Sequence, residues 1–249
     1  MRCGTTLLLV IVFFGCIAPA AVAEVNFGVS LAGAIPVGTF ADKEGIIQDA
    51  RFGYSAVGGA AKAGLGFNLE LETRVSKVMM LGFRFGYVKY GADAADVRRY
   101  INNYIEANPE LEGEVTSLDA TWTHTFMSFP IRAIAREASW GRTYLRFDIG
   151  WVKIKNSFDG GMVLGEYGEQ SFSSDFNLGS QFFLAGGVGA DIKVGDRYAI
   201  IAEFRYNHIF SDGAEATATI VTGTITARQD FNTQTVEFVV GLRIPLSGI

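Results

Sequence analysis

Residues 182–210 read FFLAGGVGADIKVGDRYAIIAEFRYNHIF, and this stretch decides the fold. In its first half every even position is apolar or small: Phe182, Leu184, Gly186, Val188, Ala190, Ile192 and Val194. After Gly195-Asp196-Arg197 the even positions are apolar again, at Tyr198, Ile200, Ala202, Phe204 and Tyr206. The odd positions between them include Asp191, Lys193, Glu203 and Arg205. A period of two gives each strand one apolar and one polar face. Two such runs around a short Gly-containing link predict a β-hairpin.

The hairpin recurs along the chain. Alternation predicts further strands over about 25–36, 60–72, 77–90, 120–136, 143–155, 176–194 and 231–246. With 198–210 this makes eight. The links alternate in length: long at 37–59, short at 73–76, long at 91–118, short at 139–142, long at 156–175, short at 195–197 and long at 211–230. A soluble sandwich has no reason to show that rhythm. It is expected of an all-β, eight-stranded antiparallel up-and-down transmembrane β-barrel with short periplasmic turns and four long extracellular loops. In the second long segment the period changes to a helical one. Val97, Ile101, Tyr104 and Ile105 share a face behind Asp93 as N-cap, with Pro109 beyond the end, predicting a short helix over 94–107. That face either packs over the barrel mouth or meets a partner.

Composition agrees. The chain is 49% hydrophobic and contains 20 Phe and 9 Tyr, yet no apolar run reaches the ~20 residues of a transmembrane helix. Its 30 glycines in 249 residues stand well above the usual ~7%. With 21 Lys+Arg against 26 Asp+Glu there is no basic surface for nucleic acid. At the start, Arg2, the apolar run 7–14 and Ala21-Val22-Ala23 read as a signal peptide over 1–23, leaving 24–249 as the barrel domain. Both cysteines, Cys3 and Cys16, fall in that segment, so the exported domain has no disulfide. Phe13-Phe14-Gly15-Cys16 gives a second reading, a lipid-modified Cys16.

If the apolar faces look out to lipid, Phe67, Phe83, Leu145, Leu184, Phe204 and Phe238 contact it. The opposite phase then gathers Glu70, Asp148, Asp191, Glu203 and Glu237 with Arg84, Arg132, Arg146, Arg205 and Arg243 in the lumen. An eight-stranded barrel is only wide enough for side chains to fill. Acids and arginines in equal number are expected to form a hydrogen-bonded ion network with trapped water, with inward glycines making room, and to plug the lumen.

Several segments carry a resemblance. Gly33-Ala34-Ile35-Pro36-Val37-Gly38-Thr39-Phe40, Ser128-Phe129-Pro130-Ile131-Arg132 and Glu203-Phe204-Arg205-Tyr206 are similar, in that order, to strands of the small outer-membrane barrel superfamily of Gram-negative bacteria, the OmpA/OmpX-like group. Gly241-Leu242-Arg243-Ile244-Pro245-Leu246 resembles its assembly signal, although this chain ends Ser247-Gly248-Ile249 rather than on an aromatic residue. The resemblance implies the cell outer membrane as location. It implies outer-membrane lipid, lipopolysaccharide and the barrel-assembly machinery as partners, and a monomer.

Tyr206-Asn207-His208-Ile209-Phe210-Ser211 is faintly similar to the His-x-Ser pattern of outer-membrane lipid A deacylases. The spacing is one residue longer, which puts His208 and Ser211 on opposite faces of a strand. His124 lies near the outer end of the fourth strand. No catalytic, metal or cofactor residues are expected, and no enzyme. The expected role is a structural or surface-interaction scaffold, adhesin-like, meeting an extracellular ligand or host surface through its loops. A narrow porin-like channel for small solutes or ions is the alternative, and an outer-membrane lipid hydrolase a third reading.

Overall fold

The computed structural model describes residues 24–42, 46–47, 54–56, 59–107, 113–165, 168–195, 197–220, 223–229 and 231–246. The expected signal segment with both cysteines, Asp196 of the turn at 195–197, and residues 247–249 lie outside the described residues. In chain order the strands are β1 (Val25–Val37), β2 (Ile46–Ile47), β3 (Tyr54–Ala56), β4 (Ala61–Ser76), β5 (Met79–Ala92), β6 (Glu114–Ala138), β7 (Gly141–Leu164), β8 (Gly168–Val194), β9 (Tyr198–Phe210), β10 (Ala214–Ile220), β11 (Gly223–Gln229) and β12 (Thr233–Pro245). A helix, α1 (Ala95–Ala107), lies between β5 and β6, and a 3-10 turn at Gly38–Phe40 follows β1.

Eight strands close a ring in the order β1-β12-β9-β8-β7-β6-β5-β4. Each is antiparallel to both neighbours, and closure leaves the ring no free edge. The register keeps the two phases continuous around it. Val188 faces Phe204 and Phe204 faces Phe238, while Gly189 faces Glu203 and Arg205 faces Glu237. The result is inside-out relative to a soluble protein. Leu31 and Leu65 are 73% and 78% exposed, whereas Arg84 and Asp148 are 0% exposed. Water would not tolerate a continuous apolar wall of this extent, but lipid does. Trp140 and Tyr198 border the wall at the turn end, Trp151 and Tyr206 toward the loop end. All six lipid-facing residues read from the sequence stand on the outer face. Phe83 and Leu184 are half-buried there, Phe83 against the edge of Phe129 at 5.9 Å between ring centroids.

The long segments hold more strand than the expected loops, beginning with β6, which starts at Glu114 rather than near Ala120. The segment 156–175, expected as a loop, continues the β7–β8 ladder from Lys155 opposite Asn177 to Leu164 opposite Gly168. Alternation persists there through Phe158, Phe172 and Phe176, and Phe158 meets Phe176 edge-on at 5.8 Å. The Thr-rich segment 211–230 folds into the β10–β11 hairpin. β11 pairs in parallel with β3, which pairs with β2, so the first and fourth loops share one four-stranded sheet.

The helix is where its period places it. Asp93 Oδ1 accepts from the Ala95 N–H at 3.2 Å, as an N-cap should. The side chains of Val97, Ile101 and Tyr104 lie outside the described residues, and Ile105 is half-buried. β5 ends opposite Ala120, so β6 runs on through 114–119 without a strand beside it on that side. α1 packs along this edge. The Asn102 amide stands in for the missing strand: its Oδ1 accepts from Val115 N–H at 2.8 Å and its Nδ2 donates to Val115 C=O at 3.3 Å. The helix thus guards an edge that would otherwise invite pairing.

Candidate functional site

Charged and aromatic side chains converge in the lumen, which has two storeys. The storey toward the short turns is ionic. Arg132, from β6, donates to Glu72 and Glu70 at 2.6 Å each and to Glu203 at 2.7 Å. Arg146, from β7, holds both oxygens of Asp148, at 2.7 and 2.8 Å, and reaches Glu203 and Glu70 at 3.1 Å. Arg205 donates to Glu203 and, at 3.0 Å, to Glu70. Arg84 spans Asp148 at 3.3 Å, Glu237 at 3.2 Å and the Asn68 amide oxygen at 2.8 Å. Arg243 pairs with Asp191 and with Glu72. All ten ionisable residues assigned to the lumen from the sequence are buried there.

The structure adds two members to those ten. Glu72 shares the phase of Glu70 and points inward with it. Arg142 falls within the expected turn 139–142 but belongs to β7; it is buried, donates to Asp191 at 2.7 Å and crosses to Glu24 on the opposite side of the ring at 3.0 Å. With them, six acids face six arginines. Each planar guanidinium satisfies two or three carboxylates, which a lysine could not do with the same geometry. Tyr144 completes the layer, donating to Glu203 at 2.7 Å beneath the Arg132 guanidinium, 4.7 Å from its ring. Gly189 shows why small inward residues are needed, since a Cβ there would sit 2.7 Å from both Glu203 and the Tyr144 ring.

The storey toward the loops is aromatic. Tyr90, Trp122, His124, Phe126 and Phe183 fill it, with Val88, Val152, Ile154 and Ile209 between them, all buried. The top is closed by loop residues. The 3-10 turn after β1 drops Phe40 into the mouth, where it is wholly buried. Its ring lies 5.4 Å from His124, 5.5 Å from Tyr90 and 5.6 Å from Trp122, and Phe231 flanks it at 6.4 Å. Gly59 passes so close that any side chain there would overlap the Phe40 ring, and its carbonyl accepts from Trp122 Nε1 at 2.9 Å. Ser211, Gln229 and Thr233 tie the fourth loop down beside it, with Gln229 Nε2 donating to Ser211 Oγ at 2.6 Å and to Phe231 C=O at 2.9 Å.

His208 is half-buried on the outer face with its ring 4.6 Å from Phe210, whereas Ser211 is buried on the inner side, as the spacing predicts. His124 is turned inward and packs as a ring; neither of its nitrogens has a hydrogen-bond partner among the described residues. Among the described residues no three His, Cys, Asp or Glu side chains are grouped to hold a metal ion.

A closed eight-stranded antiparallel ring, apolar outside and charged within, with short turns at one end and long loops at the other, defines a small β-barrel of the bacterial outer membrane. No sequence family matches the chain, and no curated protein matches it. Solved structures with a similar fold include Ail, the attachment invasion locus protein of Yersinia pestis, at 13% identity and a TM-score of 0.39 over 89% of this chain and 97% of that one. A major outer membrane protein from Thermus thermophilus shares 11% identity at a TM-score of 0.48, over 88% of this chain and 98% of that one. The outer membrane protease OmpT from Escherichia coli shares 9% at 0.48, over 90% and 97%.

Proposed function

We propose that the protein is a closed, non-enzymatic outer-membrane scaffold that presents a folded extracellular crown. The observation behind this is the filling of the lumen at both levels. Arg132, Asp148 and Glu237 in one storey and Phe126, Phe183 and Phe40 in the other are all 0% exposed, which favours a filled lumen over a water-filled path. Structure is invested instead above the rim. β6, β7 and β8 project beyond their neighbours, α1 guards one edge of that wall, and β10 lies against β8 on the other side. Loops so placed are where a rigid barrel meets other molecules. In this reading the wall contacts outer-membrane lipid and lipopolysaccharide, the last strand is presented to the barrel-assembly machinery, and the barrel works as a monomer.

Planar-bilayer recordings at neutral pH test it, with no stable nanosiemens-scale opening expected. Stable openings that vanish when the lumen is blocked would replace the scaffold with a narrow channel. For the crown, a variant lacking 95–107 that still folds is expected to lose adhesion to surfaces in the native cell. Lipid or peptide turnover abolished by His208→Ala would instead establish an enzyme.

A further inference from the structure

The lipid-facing wall is not equivalent around its circumference. On β4, β5 and β7 it ends, at the loop side, in lysines. Lys89 stands directly opposite Thr123, and Thr123 opposite Lys155, so the three form one row across β5, β6 and β7. One step nearer the membrane centre the row is Tyr87, Thr125 and Lys153. The next is Phe85, Met127 and Trp151, which faces lipid. Lys62 of β4 joins from above, its side chain lying beside Gly91 on the same face. Lys155 is held by Asp175 at 2.7 Å, and hydrogen bonds from Lys155 and Ser157 keep that carboxyl below its ordinary range. Lys62, Lys89 and Lys153 are exposed and have no carboxylate partner among the described residues. On the next two strands of the ring, β8 and β9, the wall instead carries Phe182 and Phe210, stacked at 5.7 Å, and His208.

We propose that Lys62, Lys89 and Lys153, with Thr123 and Thr125 between them, form a contact for the phosphate-bearing headgroup of an outer-leaflet lipid. Three features on this face agree. The lysines sit where the apolar wall stops, so their stems run along it while the ammonium groups reach headgroup depth. Strands are about 4.8 Å apart and rise about 3.3 Å per residue, which places the Lys89 and Lys153 Cα atoms, two strands and one row apart, about 12 Å from each other, a span that two converging ammonium groups close around one phosphate. The carboxylates of this face lie farther out: Asp175, opposite Ser157, is taken up by Lys155, and Asp119 faces Asp159 one row beyond, leaving the tier of Lys89 and Lys153 cationic. Continuity with the lipid wall assigns the site to a membrane lipid rather than a soluble anion. The proposal rests on the membrane reading above.

The test uses the folded chain in neutral detergent, titrated with lipid A carrying both phosphates and read by native mass spectrometry. Parallel arms use dephosphorylated lipid A and inorganic phosphate. The triple variant K62Q/K89Q/K153Q is expected to lose about tenfold or more in apparent affinity, since each cation near a charged leaflet contributes separately. Lys193→Gln, at the turn end, is expected to change nothing. Equal affinity of wild type and triple variant overturns the contact, as does equal binding of dephosphorylated lipid A. Competition by millimolar inorganic phosphate alone would assign the lysines to a soluble anion and also overturn it. Heat-modifiable migration of every variant separates the readings. A barrel that never folds in detergent fails the membrane reading, whereas a folded barrel with unchanged affinity fails only the headgroup contact.

Discussion

The two storeys of the lumen are built from the same strands in the same inward phase, yet they are closed by different means. The ionic storey is self-sufficient. Its arginines and acids come from the barrel wall and pair with one another across it; Glu24 alone is contributed from just outside a strand. The aromatic storey is incomplete without the loops, because Phe40 and Phe231 supply its lid. The difference follows from the interactions themselves. A buried charge needs oriented partners, so its neighbours must be fixed by register. Apolar burial is non-directional, and any ring that reaches the mouth can complete it. The ionic half should therefore be intolerant of single changes, and the aromatic half should yield locally.

The sharpest way to break that contrast is Arg132→Met. It leaves Glu70, Glu72 and Glu203 facing one another with one guanidinium fewer. Stranding buried carboxylates in this way costs about 3–5 kcal/mol, so the urea midpoint in detergent should fall steeply and refolding yield with it. If the barrel unfolds as the wild type does, the network is not what holds this storey.

Leu184→Arg asks the converse question, whether arginine is welcome only inside. Leu184 is on the lipid face, and the cost there is about 2–4 kcal/mol in the same titration. A polar change at Leu118, near the tip of the β6 extension, should leave the midpoint unmoved.

Phe40→Ala addresses the aromatic half. A sealed core loses about 3–5 kcal/mol for such a truncation, but this lid can admit water, and roughly 2 kcal/mol or less is expected. The signature is local. With Trp140 and Trp151 changed to Phe, acrylamide should quench Trp122 faster in the variant while heat-modifiable migration stays normal. A loss of stability equal to that of Arg132→Met would erase the distinction between the storeys.

The same distinction governs what is legible in the chain. The eight strands, their lipid face and ten lumen charges are legible because a period of two fixes the phase of every residue on a strand. Glu72 is legible by the same rule, since it shares the phase of Glu70. Arg142 is not, because it sits at the mouth of a turn, where the pattern does not say which residue opens the strand. The aromatic storey does leave a signal: Phe126-Met127, Phe182-Phe183 and Ile209-Phe210 are apolar on both faces, as strands buried on both sides are. Phe40 leaves none. It belongs to a loop, and only tertiary packing puts it in the mouth. The crown is legible in part, with α1 announced by its period and cap, and the β7–β8 extension hidden by the Gly, Ser and acid of its outer face.

The smallest expected effect lies at the boundary between wall and loops. Asn102 gives Val115 the donor and acceptor that a ninth strand would have given, so α1 and the upper end of β6 hold each other. Asn102→Ala removes two hydrogen bonds, each worth about 1 kcal/mol net, but the partners can turn to water at this exposed edge. Global stability should fall by about 1 kcal/mol or less, within the spread of the titration. The change should appear instead as faster amide exchange at Val115, with exchange in the ring below it, at Arg132 and Arg146, unaltered. Exchange accelerating equally at both levels would mean that the crown and the ionic storey unfold as one unit, and that the loop end is bound into the barrel as firmly as the turn end.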